Sequence, residues 1–252
     1  DGNSKRKLSK RKDPELAFSY YEEQGYLTRS VTEYLFHIVN STFEDWRKDN
    51  PIKSYLEFNI DIEKMSPAGA LFDLNKLMDI SRNIIASMSA EEVCDIYLQW
   101  AKCNDKEMAE LIESDKSYAK NIFNIERKIP KPRKDIGKWT DVRDYIYFFY
   151  DKLFIQSGRE YSFSSSLDAK DINEVLTRYS DAYNETDTKE QWFDRLKHFA
   201  DGLGFSKDVK AYKKNPKLYK GHVGDVATIL RIALTKKSNT QDLYEIMKLL
   251  GR

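Results

Sequence analysis

The sequence is poor in residues that staple, bend or anchor a chain. Two cysteines, Cys94 and Cys103, stand in 252 residues, too few for a disulfide framework or a four-ligand zinc site. Three histidines, His37, His198 and His222, are scattered, so no pair sits at metal-ligand spacing. No Cys–His or Ser–His–Asp grouping can be assembled, which leaves hydrolase chemistry without support. The longest apolar run, residues 145–150, is six residues long, far short of the roughly 20 needed to span a bilayer. No leader pattern opens the chain, so no membrane partner is expected and the cytoplasm is the expected compartment. With 10 Gly and 6 Pro, turn-forming residues are scarce, which favours long helices over many short strands. What is present is 40% hydrophobic and 33% charged, the balance of a folded chain rather than a disordered one. The length suits one or two domains that bury roughly 70–75% of their unfolded surface.

The formal net charge is only +1, but it is unevenly laid out. Residues 1–12 carry Lys5, Arg6, Lys7, Lys10, Arg11 and Lys12 against Asp1. Residues 127–138 carry Arg127, Lys128, Lys131, Arg133, Lys134 and Lys138 against Asp135. Residues 207–220 carry six Lys against Asp208. The three stretches hold +15 and the remainder holds −14. An acidic body with three basic stretches suits a polyanion gripped at chosen places, because cations gather phosphate only where they cluster. Each stretch taken alone also suits a solvated surface loop.

Helical periodicity runs through the chain. Asp13-Pro14 marks a helix start, and Gly25 closes the turn that follows. Ser30 with Glu33, Ser89 with Glu92 and Thr188 with Gln191 are capping-box strings. Val31, Tyr34, Leu35 and Ile38 follow the first, and Val93, Ile96, Tyr97 and Trp100 the second. Asp73 caps a helix bearing Leu74, Leu77, Met78 and Ile84. Residues 40–70 read as irregular. Short helices are expected over 105–111 and 114–125. An aromatic helix is expected over 140–149, and a Ser-rich linker at 162–166. Val175, Leu176 and Tyr179, then Leu196, Phe199 and Leu203, then Val223, Val226 and Leu230, then Ile246, Met247 and Leu250 keep the 3.6-residue period. Trp100, Trp139 and Trp192 are expected in cores. No run alternates as a strand, so the fold class is all-α, in packed helical modules.

The string Lys7-Leu8-Ser9-Lys10-Arg11 places two ammonium groups and a hydroxyl in one loop, a set that can surround a phosphate chain. A capped helix begins directly behind it. With its companions, the string resembles the C-terminal part of bacterial glutamyl-tRNA synthetases, a class I family. Lys7 to Arg11 is similar to the family's version of the class I signature loop. Gly69-Ala70-Leu71-Phe72-Asp73-Leu74-Asn75-Lys76-Leu77 is similar to the family's Gly-x-x-Phe-Asp-x-x-Lys-Leu segment. Pro132-Arg133 followed by Asp135 is similar to a Pro-Arg-x-Asp stretch of the anticodon-binding region. Leu230-Arg231-Ile232-Ala233-Leu234-Thr235, Leu243-Tyr244-Glu245-Ile246 and Leu249-Leu250-Gly251 are similar to the closing signature. The chain opens without Met, as a fragment or a processed terminus would. The family's nucleotide-binding core and its His-Ile-Gly-His-type motif are not in this sequence.

The resemblance implies a helical stem-contact module followed by a two-part, helix-cage type anticodon-binding domain. Their expected limits are 1–86, 87–155 and 156–252. It implies that the whole ligase uses ATP with magnesium, L-glutamate and tRNA(Glu), and that this fragment alone holds no cofactor and is inactive. A monomer is expected. Lys10 would contact ATP and the leaving pyrophosphate, with Lys7 and Ser9 in the same catalytic loop. Arg133 would read the third anticodon base, and Arg231 and Leu243 would touch the anticodon loop. The residues themselves leave other readings open. On the residues alone Arg133 suits a phosphate contact better than base reading, Arg231 also suits a snorkelling helix residue, and the spacing of Leu243 favours a core position over a contact. A related lysyl- or glutaminyl-tRNA synthetase, or a helical scaffold for acidic partners, would share the same composition.

Overall fold

A computed structural model describes residues 12–65, 72–165 and 167–251. Among the described residues there are fourteen α-helices and six 3-10 turns, with no strand. The all-α expectation holds. The chain divides into two compact units, Asp1–Lys116 with Ile129–Tyr145, and Ser117–Lys128 with Ile146–Arg252.

In the first unit, helix Thr28–Val39 lies against helix Leu74–Ser87. Val31 and Tyr34 from one meet Leu77, Ile80 and Ile84 from the other, in one buried cluster with Tyr21 and Tyr26. These are i, i+3 and i+4 positions, so each helix offers a single apolar stripe. Full burial of one such side chain is worth about 1.5–3 kcal/mol. Asp73 caps the second helix as expected, accepting from the amides of Asn75 (2.8 Å) and Lys76 (3.4 Å). Helix Ala90–Asn104 starts at the Ser89–Glu92 capping box and packs on helix Lys106–Ser114.

Three local expectations differ from the structure here. Ser30 and Glu33 do not form a capping box. Helix Thr28–Val39 is preceded by Leu27, and Ser30 is buried inside it. Residues 40–70 are not uniformly irregular, since Phe43–Asp49 is a helix. An aromatic cluster holds that helix. Phe43 is fully buried, stacks on Phe36 at 5.1 Å, and meets the Phe58 ring edge-on at 4.9 Å. Trp100 is only half-buried, and its indole N–H donates to the Glu22 carbonyl at 2.8 Å.

The second unit is built on helices Ala169–Ala182, Lys189–Gly202, Val223–Thr235 and Leu243–Leu250. Val175, Trp192, Leu196, Val226, Ile229 and Met247 belong to one buried core. Trp192 satisfies its indole N–H on the Tyr179 hydroxyl at 2.8 Å, so a large polar-tipped ring is buried without an orphan donor. The Thr188–Gln191 capping box is present.

Candidate RNA-binding site

Arg133 lies in the segment Ile129–Tyr145, which belongs to the first unit. The two prolines, Pro130 and Pro132, stand in a stretch without regular structure, as their fixed φ and missing N–H require. Behind Arg133 the backbone is pinned. Ile136 and Trp139 are 4% and 3% exposed. The Trp139 amide donates to the Gly25 carbonyl at 2.8 Å. Lys138 Nζ donates to Gln24 Oε1 at 2.7 Å, and Thr140 Oγ1 to the Gln24 carbonyl at 3.1 Å. Arg143 anchors the far side, with Nε and Nη2 on the two Asp105 oxygens at 3.0 and 2.9 Å.

The Arg133 side chain itself is fixed by a fork. Nε donates to Asp135 Oδ2 at 2.6 Å and Nη2 to Oδ1 at 3.1 Å. The two side chains are 28% and 35% exposed, so this pair sits at the surface. A bidentate carboxylate holds a guanidinium plane in one orientation, which a lysine could not offer. Lys131 and Lys134 flank it and are exposed.

Arg231 and Leu243 lie in the second unit. Arg231 is half-buried on helix Val223–Thr235. Its Nη1 donates to Thr240 Oγ1 at 2.5 Å and to the Gln241 carbonyl at 2.6 Å. The guanidinium thereby staples the connection between the last two helices. Leu243 opens the final helix and is 3% exposed, in the core cluster. Its side chain packs inward, so the geometry gives it a positioning place. Sequence reasoning missed Glu126, which takes a left-handed φ of 52° and accepts from the Asp242 amide at 2.9 Å, one residue before Leu243. A lone Glu after a helix carries no sequence signal for that reach.

The first unit also holds a cleft of about 440 Å³ lined by Arg29, Glu33, His37, Glu44, Arg47 and Lys76, among others. Its charges are largely met internally. Glu33, 3% exposed, accepts from Arg29 at 2.9 Å and Arg47 at 3.0 Å. Lys76 pairs with Glu44 at 3.2 Å, and the hydrogen bond from Lys76 holds the Glu44 carboxyl below its ordinary range. Burial, reinforced by the nearby Lys76 charge, holds the His37 imidazole below its usual pKa. No grouping of metal-binding side chains occurs among the described residues. Cys94 is buried and Cys103 exposed, and no disulfide joins them. No helix among the described residues is long and apolar enough to cross a membrane.

No protein-family model matches the chain. Over 252 residues it is 48% identical to the glutamate–tRNA ligase of Clostridium perfringens, covering 100% of this chain and 46% of that protein. Against the glutamate–tRNA ligase of Sorangium cellulosum it is 42% identical over 249 residues, covering 99% of this chain and 43% of that protein. The chain is a relative of the glutamate–tRNA ligases. It spans about half the length of the curated relatives it matches. A crystal structure of the glutamate–tRNA ligase from Elizabethkingia meningosepticum, in complex with its amino acid, shares the fold. The TM-score is 0.60 at 18% identity, covering 99% of this chain and 46% of that one.

The ligase-like strings can now be placed. Lys7, Ser9 and Lys10 lie outside the described residues, as do Gly69, Ala70 and Leu71. The rest of the second string is structural. Phe72 meets the Tyr34 ring edge-on at 5.5 Å, Asp73 caps, Lys76 pairs with Glu44, and Leu77 is fully buried.

Proposed function

We propose that this chain is the tRNA-binding portion of an ATP-dependent glutamate–tRNA ligase. Residues 1–86 supply the signature loop and the stem contact, and the helices over 87–155 and 156–252 meet the anticodon arm. The observation that carries this is the 48% identity to a glutamate–tRNA ligase along all 252 residues. The forked Arg133 supports it from the geometry. A guanidinium held in one plane can meet the O2 and N3 acceptors of an unpaired cytosine, and unstacked loop bases are what RNA readers target. Arg231 touches the anticodon loop from a stapled helix, and Leu243 sets the start of the helix behind it. In the whole ligase, Lys10 places its charge where pyrophosphate develops, with Lys7 and Ser9 beside it in the loop. ATP, with its magnesium, would supply the adenylyl group to the glutamate carboxylate there, with pyrophosphate leaving.

Binding of the 252-residue chain to tRNA(Glu) and to an unrelated tRNA tests the first part. Preference for tRNA(Glu) is expected, and equal affinity would contradict it. In the whole ligase, Lys10→Ala should lower the rate of glutamate activation far more than it weakens amino-acid binding. Equal losses in both would remove Lys10 from the reacting loop.

A further inference from the structure

The third basic stretch, 207–220, has no part in the reading above. The structure ties its two ends together. The Ser206 amide donates to the Gly221 carbonyl at 2.9 Å, the Val223 amide to the Ser206 carbonyl at 2.8 Å, and the Lys220 amide to the Gly204 carbonyl at 3.0 Å. Between these ends the chain forms the short helix Val209–Lys214 and the 3-10 turn Pro216–Leu218. Asp208, the one acid of the stretch, is spent on capping, its carboxylate accepting from the Ala211 amide at 2.8 Å. Inside the loop, the Tyr212 ring stands edge-on to His222 at 5.2 Å. His222 in turn caps helix Val223–Thr235, its Nδ1 accepting from the Gly224 amide at 3.0 Å. The loop is therefore closed at its base and fixed to the start of the helix that bears Arg231. Compact surface loops with joined ends are common carriers of function.

The charges on this loop fall into two groups. Lys207 pairs with Asp201 at 3.5 Å, and Lys220 with Asp171 at 2.7 Å and Glu174 at 3.4 Å. Lys210, Lys213, Lys214 and Lys217 are exposed, and none stands in a salt bridge among the described residues. The one Asp208 carboxyl is held below its ordinary range by its backbone hydrogen bonds first, and then by the nearby charges of Lys210 and Lys214. On the short helix, positions 210, 213 and 214 stand at i, i+3 and i+4, so three like charges share one face. That spacing works against the helix. The loop thus concentrates four exposed ammonium groups around a single carboxylate, Asp208, that the backbone amides already engage.

We propose that this closed loop is a seat for the sugar–phosphate backbone of RNA, separate from the residues that read bases. The proposal rests on the reading of the chain as a tRNA binder. Lysine ammoniums are point charges without a fork, which suits positioning on phosphates rather than base discrimination. Arg231 lies eight residues beyond Val223, about 12 Å along the helix axis. That separation equals about four nucleotides at roughly 3.4 Å each, so a single RNA strand is long enough to touch both Arg231 and the loop within a few nucleotides. The exposed apolar side chains here, Val209 at 39% and Leu218 at 73%, are too few to anchor the loop in a lipid surface, which takes a broad apolar face.

The test is the salt dependence of tRNA binding by the 252-residue chain, measured from about 50 to 200 mM salt. The wild type is compared with a variant carrying Lys210→Gln, Lys213→Gln, Lys214→Gln and Lys217→Gln, and with one carrying Arg at the same four positions. The glutamine variant should lose affinity by the same factor for tRNA(Glu) and for a tRNA with a changed anticodon. Its slope of log affinity against log salt should flatten by about three units, near the four-phosphate value. The arginine variant should keep the wild-type slope. If the wild type binds and the glutamine variant keeps its slope, the seat is refuted while the tRNA reading stands. If the wild type binds no tRNA at low salt, both fall. Anionic phospholipid vesicles form the last arm. Vesicle binding that the glutamine variant alone loses, with the RNA slope unchanged, would overturn the RNA assignment in favour of a membrane.

Discussion

Gly25 and His37 show how single residues set the frame for the site. Gly25 ends helix Phe18–Gln24 at φ +78°, a left-handed conformation that side chains resist. A Cβ there would stand 2.6 Å from Trp139 Cβ and 2.8 Å from the Trp139 amide nitrogen. Gly25→Ala should therefore destabilise the chain by about 2–4 kcal/mol, combining backbone strain with overpacking. An unchanged urea midpoint would contradict the packing described. His37 carries a different consequence. Its side chain is 9% exposed, and burial followed by the Lys76 charge lowers its pKa, with Glu44 and Glu33 opposing and Arg47 reinforcing. The imidazole is neutral in the fold and titrates near 6.5 when unfolded. A lowered folded pKa means its stabilising contribution is complete above about pH 6.5 and is lost as pH falls through the folded value. The urea midpoint should fall between about pH 7 and 5, and His37→Phe should flatten that fall. An identical pH profile in the variant would show that His37 is not the titrating group.

At the scale of elements, the same four-residue string behaves in two ways. Ser89 accepts from the Glu92 amide at 3.2 Å, and Glu92 accepts from the Ser89 amide at 2.7 Å, which holds the Glu92 carboxyl low. Ser89→Ala should cost about 1 kcal/mol, readable as a lowered thermal midpoint; no change would mean the box is idle. Ser30 and Glu33 have the same spacing, yet Glu33 turns inward to Arg29 and Arg47. Arg47 comes from helix Phe43–Asp49, in a region whose proline and glycine content reads as loop. The partner that overrides the box was thus hidden in an element that local signals do not reveal. The aromatic tract fails for a related reason. Instead of one helix over 140–149, it forms the 3-10 turn Trp139–Asp141, helix Val142–Ile146 and the 3-10 turn Tyr147–Phe149. Tyr147, Phe148 and Phe149 are all buried, at 4%, 3% and 6%, and three consecutive side chains cannot share one face of an α-helix. Helices with a single apolar stripe, such as Ala169–Ala182 with Val175 and Tyr179 buried, were legible. Segments buried on several sides were not, because periodicity reports only one-sided burial.

For the whole molecule, the candidate site is legible in part. The basic stretch around Arg133 and its prolines is visible in the sequence. The Asp135 fork was visible only as proximity, since spacing cannot say where a side chain turns. The inward packing of Leu243 was foreshadowed by its helical spacing. The central claim is that Arg133 reads a base rather than a phosphate. Glutamate and glutamine anticodons differ chiefly at the third base, C in one and G in the other. Cytosine offers acceptors to a guanidinium, whereas the Watson–Crick edge of guanine sets N–H donors against it. The deciding measurement is the affinity of the wild type and of Arg133→Gln for tRNA(Glu) and for the same tRNA with G at that position. The account predicts a wild-type preference for C that the substitution relaxes by about 1–3 kcal/mol, the scale of a bidentate arginine–base contact. An equal loss for both tRNAs, with the salt slope reduced by about one unit, would mark Arg133 as a phosphate contact and contradict the claim.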